Sequence, residues 1–172
     1  MKKAEIGVGR FYTDNKNGLR EVIAEGAQYK AYDGVTDDDC LRYSAHSVNL
    51  LHSRLDPDET NMTRTSFAAW AVSEVPADAI GKWHLERSAR LITKKLTGPQ
   101  RAFLGAFDRD LTPTSLIEVH REEHRMAKVC RDKTLIKSVP DRLKAGEHSF
   151  ELEFTPLGLA VLEQVHGCSE PV

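Results

Sequence analysis

The segment Phe150-Glu151-Leu152-Glu153-Phe154 constrains the fold more than any other part of this chain. Its apolar and acidic side chains alternate strictly, which predicts a half-buried β-strand, because successive side chains of a strand point to opposite faces. Residues 135–139 are the predicted partner strand, and the loop 140–148 between the two strands contains basic residues. Thr155-Pro156 then predicts a helix start, because Thr is a good cap and proline at the first helical position loses no hydrogen bond. We therefore expect a hairpin with a basic tip, followed by a closing helix.

Three helices are predicted upstream of this hairpin. Thr97-Gly98-Pro99-Gln100 fits a capping box at the start of the first. Thr112-Pro113 indicates a second, short helix that reaches Val119. Residues 122–132 place apolar side chains at helical spacing and basic side chains on the other sides, which predicts an amphipathic third helix. Three helices, a two-stranded wing and a closing helix form a winged helix-turn-helix domain.

The first fifty residues read as short strands separated by turns. The predicted strands are 6–12, 19–24, 28–32, 40–45 and 48–51. Several short strands in so little chain favour a small β-barrel-like, SH3-like domain. The polar stretch 56–61 contains a proline and predicts a linker. Residues 66–75 predict a connecting helix that Pro76 stops.

These patterns together predict an α+β protein in three parts. Residues 1–55 form the small β domain, residues 56–80 the linker and connecting helix, and residues 81–172 the winged-helix domain. The segment 85–95 fits either a helix or a strand.

The charge of the chain is distributed unevenly, although the net charge is only -2. Residues 1–81 contain 9 Lys and Arg against 13 Asp and Glu, whereas residues 82–145 contain 15 against 8. A basic segment of this kind indicates a surface that faces a polyanion, although a solvated helix face is the commoner cause of a single basic run.

The basic residues of the third helix and of the wing are the candidate DNA contacts. Arginine suits both phosphates and guanine edges. The candidate site consists of Arg121, His124, Arg125, Lys128, Arg131, Arg142 and Lys144. Glu122, Glu123 and Asp132 on the same helix disfavour tight non-specific binding, because each repels phosphate.

The strand 150–154 and the following Thr155-Pro156-Leu157-Gly158-Leu159-Ala160-Val161-Leu162 resemble the wing strand and next helix of MarR-type winged-helix regulators. The resemblance covers about 70 residues and implies that the helix 122–132 enters the major groove while the wing contacts the DNA backbone. Double-stranded DNA is therefore the expected partner, and transcriptional regulation the expected role.

The N-terminal part more weakly resembles small accessory proteins of proteobacterial phages and prophages. The residues that carry this likeness are Gly7 to Asp14, Arg20-Glu21-Val22, Cys40-Leu41-Arg42-Tyr43 and Phe67-Ala68-Ala69-Trp70. It implies a mobile-element origin. An alternative function is thus a non-enzymatic interaction protein that occupies and inhibits a host protein.

Other classes of function have little support in the sequence. No nucleophile-elbow pattern, phosphate loop or paired-carboxylate signature is present, so we expect no catalytic residues and no cofactor. The three cysteines are widely spaced, and His120 and His124 have no evident third ligand, so we expect no metal. No apolar run approaches the length of a membrane span, which predicts a cytoplasmic protein without a membrane partner. An enzyme in the N-terminal domain is the second alternative.

Overall fold

A computed structural model describes residues 1–46 and 58–167. The chain divides into two compact units, Met1–Arg87 and Ser88–Val172, and the boundary falls within helix α2 (Ile80–Lys94). Each unit contains helices and an antiparallel sheet, which confirms the α+β class. The ambiguous segment 85–95 is almost entirely helical.

The described residues of the first unit form an open sheet of five antiparallel strands in the order β4-β3-β2-β1-β5. The strands are β1 (Phe11–Thr13), β2 (Leu19–Glu25), β3 (Cys40–His46), β4 (Asp58–Thr63) and β5 (Ser73–Val75). Helix α1 (Arg64–Trp70) connects β4 to β5 and begins where the Thr63 hydroxyl accepts from the Ser66 N–H at 3.2 Å.

One face of this sheet packs against α1. Tyr12, Val22 and Leu41 lie on that face because side chains alternate along each strand, and all three are fully buried against Phe67. The rings of Tyr12 and Phe67 meet edge to face, with 5.5 Å between their centroids.

Several predictions for the first unit are wrong. The strands form an open sheet, not a barrel-like one, because the described edge strands β4 and β5 do not pair with each other. Residues 27–29 form a 3-10 turn where a strand 28–32 was expected, and the expected strand 6–12 is reduced to its last residues. The predicted linker 56–61 instead overlaps β4, whose Asp58 and Glu59 are acidic residues of the kind that protects a sheet edge. The predicted strand 48–51 lies outside the described residues.

The connecting helix is shorter than predicted. It ends at Trp70, and residues 73–75 of the predicted helix form β5, which pairs with β1. Ala71 is already in an extended conformation, so the chain leaves the helix well before Pro76.

The second unit packs helices against a three-stranded antiparallel sheet in the order β6-β8-β7. Its elements are α3 (Gly98–Gly105), β6 (Leu116–His120), α4 (His124–Asp132), β7 (Ile136–Ser138), β8 (Ser149–Phe154) and α5 (Pro156–Gly167). The strand predicted from the alternating segment is confirmed: Phe150, Leu152 and Phe154 are buried in β8, and β7 is its partner as expected.

The predicted start signals of α3 and α5 are also confirmed. Gln100 Oε1 accepts from the Thr97 N–H at 3.0 Å, as a capping box requires. The Thr155 hydroxyl accepts from the Gly158 N–H at 3.0 Å at the start of α5.

The prediction of a second helix in the helix-turn-helix is wrong. Thr112 and Ser115 form a turn, with the Ser115 N–H bonded to the Thr112 carbonyl at 3.0 Å, and the chain continues as β6. Ile117 and Val119 fit a strand because they alternate with Glu118 and pair with Leu152 and Phe150 of β8. The winged helix-turn-helix arrangement is therefore not confirmed, and the hairpin is part of a three-stranded sheet.

Candidate nucleic-acid interface

Helix α4 carries most of the candidate residues and is close to the predicted segment 122–132. It is preceded by a 3-10 turn over Arg121–Glu123. Ala127 and Cys130 are fully buried, which orients the helix on the core and leaves its basic side chains on the other sides. Burial raises the pKa of the Cys130 thiol to about 11, so this cysteine is a core residue.

The loop 139–148 between β7 and β8 is bonded to α4 by basic side chains. His124 Nε2 donates to the Pro140 carbonyl at 2.6 Å, and Lys128 Nζ donates to the Asp141 carbonyl at 3.3 Å. Arg131 Nη1 donates to the Val139 carbonyl at 3.2 Å. These three candidate residues therefore contact the beginning of the loop.

Arg121 bonds the other end of the same loop. Its Nη1 donates to the carbonyls of Lys144 and Glu147, both at 2.8 Å, and its backbone N–H donates to the His148 carbonyl at the same distance. Lys144 itself is exposed, and its backbone N–H donates to Glu147 Oε2 at 2.7 Å. The loop is thus attached to the helical segment at both ends.

One ion pair strengthens this attachment. Arg131 Nη1 lies 2.9 Å from Asp141 Oδ1. The hydrogen bond from Arg131, together with the charges of Arg131 and Lys128, holds the pKa of Asp141 below its ordinary value.

A groove of about 680 Å³ lies between α4 and the loop. Its cationic lining includes Arg125 on the helix and Arg142 on the loop, both exposed. Neither guanidinium has a hydrogen-bond or ion-pair partner within residues 1–46 and 58–167. They can therefore bind an incoming anion without breaking an existing bond.

Acidic side chains reduce the positive charge of this surface. Asp132 and Asp141 line the groove, but both accept from Arg131. Glu122 and Glu123 are exposed in the preceding turn and do not line it. The groove is net positive, because Arg121, Arg125, Lys128 and Arg142 also line it.

Of the seven candidate residues, five line the groove, whereas Arg131 and Lys144 do not. The contribution of the loop carbonyls was not foreseen from the sequence. A signal was present: Arg121, His124, Lys128 and Arg131 follow one another at spacings of three, four and three residues, which places them along one stripe of a helix. A basic stripe beside a short loop is suited to bind the carbonyls of that loop.

A second group of polar side chains lies in the first unit. His46 Nε2 is 3.4 Å from Glu21 Oε2, and burial together with the charge of His46 lowers the pKa of His84. Ser44 Oγ is buried and has no hydrogen-bond partner among the described residues, and His46 is not bonded to it there as the base of an activated nucleophile would be. This group gives no support to a catalytic site.

Within the described ranges, no three His, Cys, Asp or Glu side chains are grouped so that they could hold a metal ion. No helix there is both long enough and apolar enough to cross a membrane. Comparisons with known protein families, with curated proteins and with solved structures found no match to this chain. The two resemblances therefore remain expectations, and the function must be inferred from the geometry.

Proposed function

We propose that the second unit binds duplex DNA through the groove between α4 and the loop 139–148. The observation that carries this proposal is a pair of exposed arginines on opposite sides of the groove, Arg125 and Arg142, which have no partner in the part of the chain that the structure describes. A guanidinium presents a planar fork of N–H donors that fits the oxygens of a phosphate.

The character of the groove favours a polyanion over a small anion. Small-molecule sites enclose most of their ligand, whereas both arginines here are exposed at an open surface. Lys144 adds a third exposed cation on the loop. Repeated phosphates along a nucleic acid can neutralise several such cations at once.

The side chains around the groove favour duplex over single-stranded nucleic acid. Proteins that bind single strands stack the bases on exposed aromatic side chains. Among the described residues that line this groove, His124 alone has a ring. This ring packs edge to face on Phe150 with 5.3 Å between centroids and donates to the Pro140 carbonyl. A duplex requires only phosphate contacts at this surface.

The proposal is tested by measuring the affinity of the full chain for a fluorescent duplex of about 20 base pairs as the salt concentration rises. The Arg125→Ala/Arg142→Ala double variant should bind more weakly. The slope of log K against log salt should become shallower by about 2, since each lost phosphate contact removes about one released counterion.

Arg109→Ala is the matched control, because Arg109 is an exposed arginine of the same unit that does not line the groove. It should leave both affinity and salt slope unchanged. If wild-type protein does not associate with any duplex at about 50 mM salt, or if the double variant keeps the wild-type slope, DNA binding at this groove is refuted.

A protein partner is the second candidate function. It is favoured by Leu116, whose side chain is 66% exposed on β6, the edge strand of the three-stranded sheet. Exposed edge strands can pair with a strand of another chain. This candidate would be favoured if the chain bound a protein partner equally well with and without Arg125→Ala/Arg142→Ala and did not bind DNA.

A further inference from the structure

The geometry of the loop contacts points to a division of labour among the candidate residues, which rests on the proposed DNA binding. We infer that Arg125 and Arg142 contact phosphate, whereas Arg121 is a positioning residue that holds the loop so that Arg142 faces Arg125 across the groove. The sequence alone had placed all of these residues in one class of DNA contacts.

The basic stripe is already bonded to the loop. Arg121, His124, Lys128 and Arg131 together donate five hydrogen bonds to backbone carbonyls of the loop 139–148. Backbone carbonyls that are not bonded within a sheet or a helix need other donors or water. These side chains supply such donors, and the corresponding N–H groups are not available to DNA.

Arg121 contributes two of these five bonds. Arg121 reaches two carbonyls that are three residues apart in the loop, those of Lys144 and Glu147. Both bonds use Nη1, so one nitrogen atom holds the part of the loop that follows Arg142. His124, Lys128 and Arg131 bond the part before it, at residues 139–141.

Arg142 lies between these two attachments. Its guanidinium has no partner among the described residues, so its place on the groove depends on the backbone of the loop. Arg125 is on α4 and needs no such support. Loss of Arg121 should therefore let the loop and Arg142 move in the free protein, so that binding must first order them, but it should leave Arg125 in place.

The test compares Arg121→Ala with Arg125→Ala in the full chain, using two measurements. The first is the salt dependence of binding to a random-sequence duplex of about 20 base pairs. Arg125→Ala should make the slope shallower by about 1, because a phosphate contact is lost. Arg121→Ala should weaken binding about 3-fold to 10-fold, because the loop must be ordered on binding. It should change the slope by less than about 0.5, since Arg142 still reaches its phosphate in the complex and Arg121 itself touches none.

The second measurement is amide hydrogen exchange over residues 139–148 without DNA. Arg121→Ala should speed exchange in the loop at least about 10-fold, because local opening is favoured when the carbonyl contacts are lost. Arg125→Ala should leave this exchange unchanged, which makes it the matched control for removing one arginine from the same segment.

The outcomes separate the two proposals. A slope that becomes shallower by about 1 in Arg121→Ala would show that a phosphate contact is lost with this side chain, which a residue that only orders the loop does not cause, and would overturn the positioning role. Unchanged exchange in the loop of Arg121→Ala would overturn it independently of DNA. Failure of the wild-type protein to bind any duplex would instead overturn the proposed function, whatever the exchange measurement gives.

Discussion

Gly158 in the first turn of α5 is the position where one added methyl group should do the most damage. A Cβ atom placed there would overlap the carbonyl oxygen of Leu135 and come within 2.8 Å of its carbonyl carbon and 2.9 Å of Phe154 Cδ1. The same Leu135 carbonyl accepts from the Thr155 N–H at 3.0 Å. The helix therefore begins directly against the backbone that leads into β7, and only glycine permits this approach.

The expected cost follows from two opposing effects. Overpacking a core commonly costs about 1 to 3 kcal/mol, and the upper end applies here because a backbone group must move. Alanine is better than glycine within a helix by about 1 kcal/mol. We therefore expect Gly158→Ala to lower the free energy of unfolding of the second unit by about 2 kcal/mol.

Urea unfolding followed through the reactivity of Cys130 reports on this unit. The thiol is buried and has a raised pKa, so it becomes labelled when the unit opens, and peptide mass spectrometry distinguishes it from the other cysteines. The unfolding midpoint should fall by about 1 M urea. Gly105→Ala is the control, since its Cβ would meet Val165 Cγ1 at an ordinary 3.6 Å, and it should not be destabilising. Equal midpoints for wild type and Gly158→Ala would refute the close approach of α5 to Leu135.

Two further predictions concern charged side chains. The hydrogen bond from Arg131 lowers the pKa of Asp141. The pair should therefore stabilise the fold at pH values above the ordinary carboxyl pKa, and this stabilisation should be lost as the pH falls through the lowered pKa. The stability difference between wild type and Asp141→Asn in urea should accordingly be largest near neutral pH and shrink below about pH 4; a difference independent of pH would contradict the pairing. In the first unit, Arg20 Cζ lies 4.5 Å from the ring centre of Tyr43 and 3.9 Å from that of Trp70. Arg20→Ala should destabilise this unit by about 1 to 2 kcal/mol in urea unfolding monitored by tryptophan fluorescence, and an unchanged midpoint would show that the stacking contributes nothing.

The parts of the fold that could be predicted from the sequence are encoded within a few neighbouring residues. The alternation of residues 150–154 specifies a strand with one buried face, and Thr155 supplies the cap of the helix that follows it. Both signals depend only on a few neighbouring residues, so they can be recognised without knowing which distant residues pack against them.

Thr112-Pro113 shows where such local signals fail. The same Thr-Pro pair opens a helix at Thr155 but forms only a turn at Thr112, because residues 116–120 pair with β8, whose partner residues lie 29 to 37 positions further along the chain. Strand β4 was missed for a similar reason, since its polar residues are extended by pairing with β3 and not by their own preferences.

The candidate site was predictable in its residue types but not in its contacts. The amphipathic pattern identified the basic face of α4, which includes Arg125, and the basic loop of the predicted wing supplied Arg142. The acceptors for Arg121 and His124 are backbone carbonyls, which every residue has and which therefore leave no mark on the sequence. Only the path of the loop backbone shows which basic side chains remain available to bind an anion.

The attachment of the loop 139–148 also bears on the kinetics of any binding at the groove. A free loop would lose conformational entropy when its residues became fixed in a complex, at roughly 1 to 2 kcal/mol for each backbone unit. Five side-chain bonds to its carbonyls have already restricted this loop in the free protein. Association would then need no ordering step, so its rate would be governed by diffusion and long-range electrostatic attraction. Added salt should slow the encounter itself.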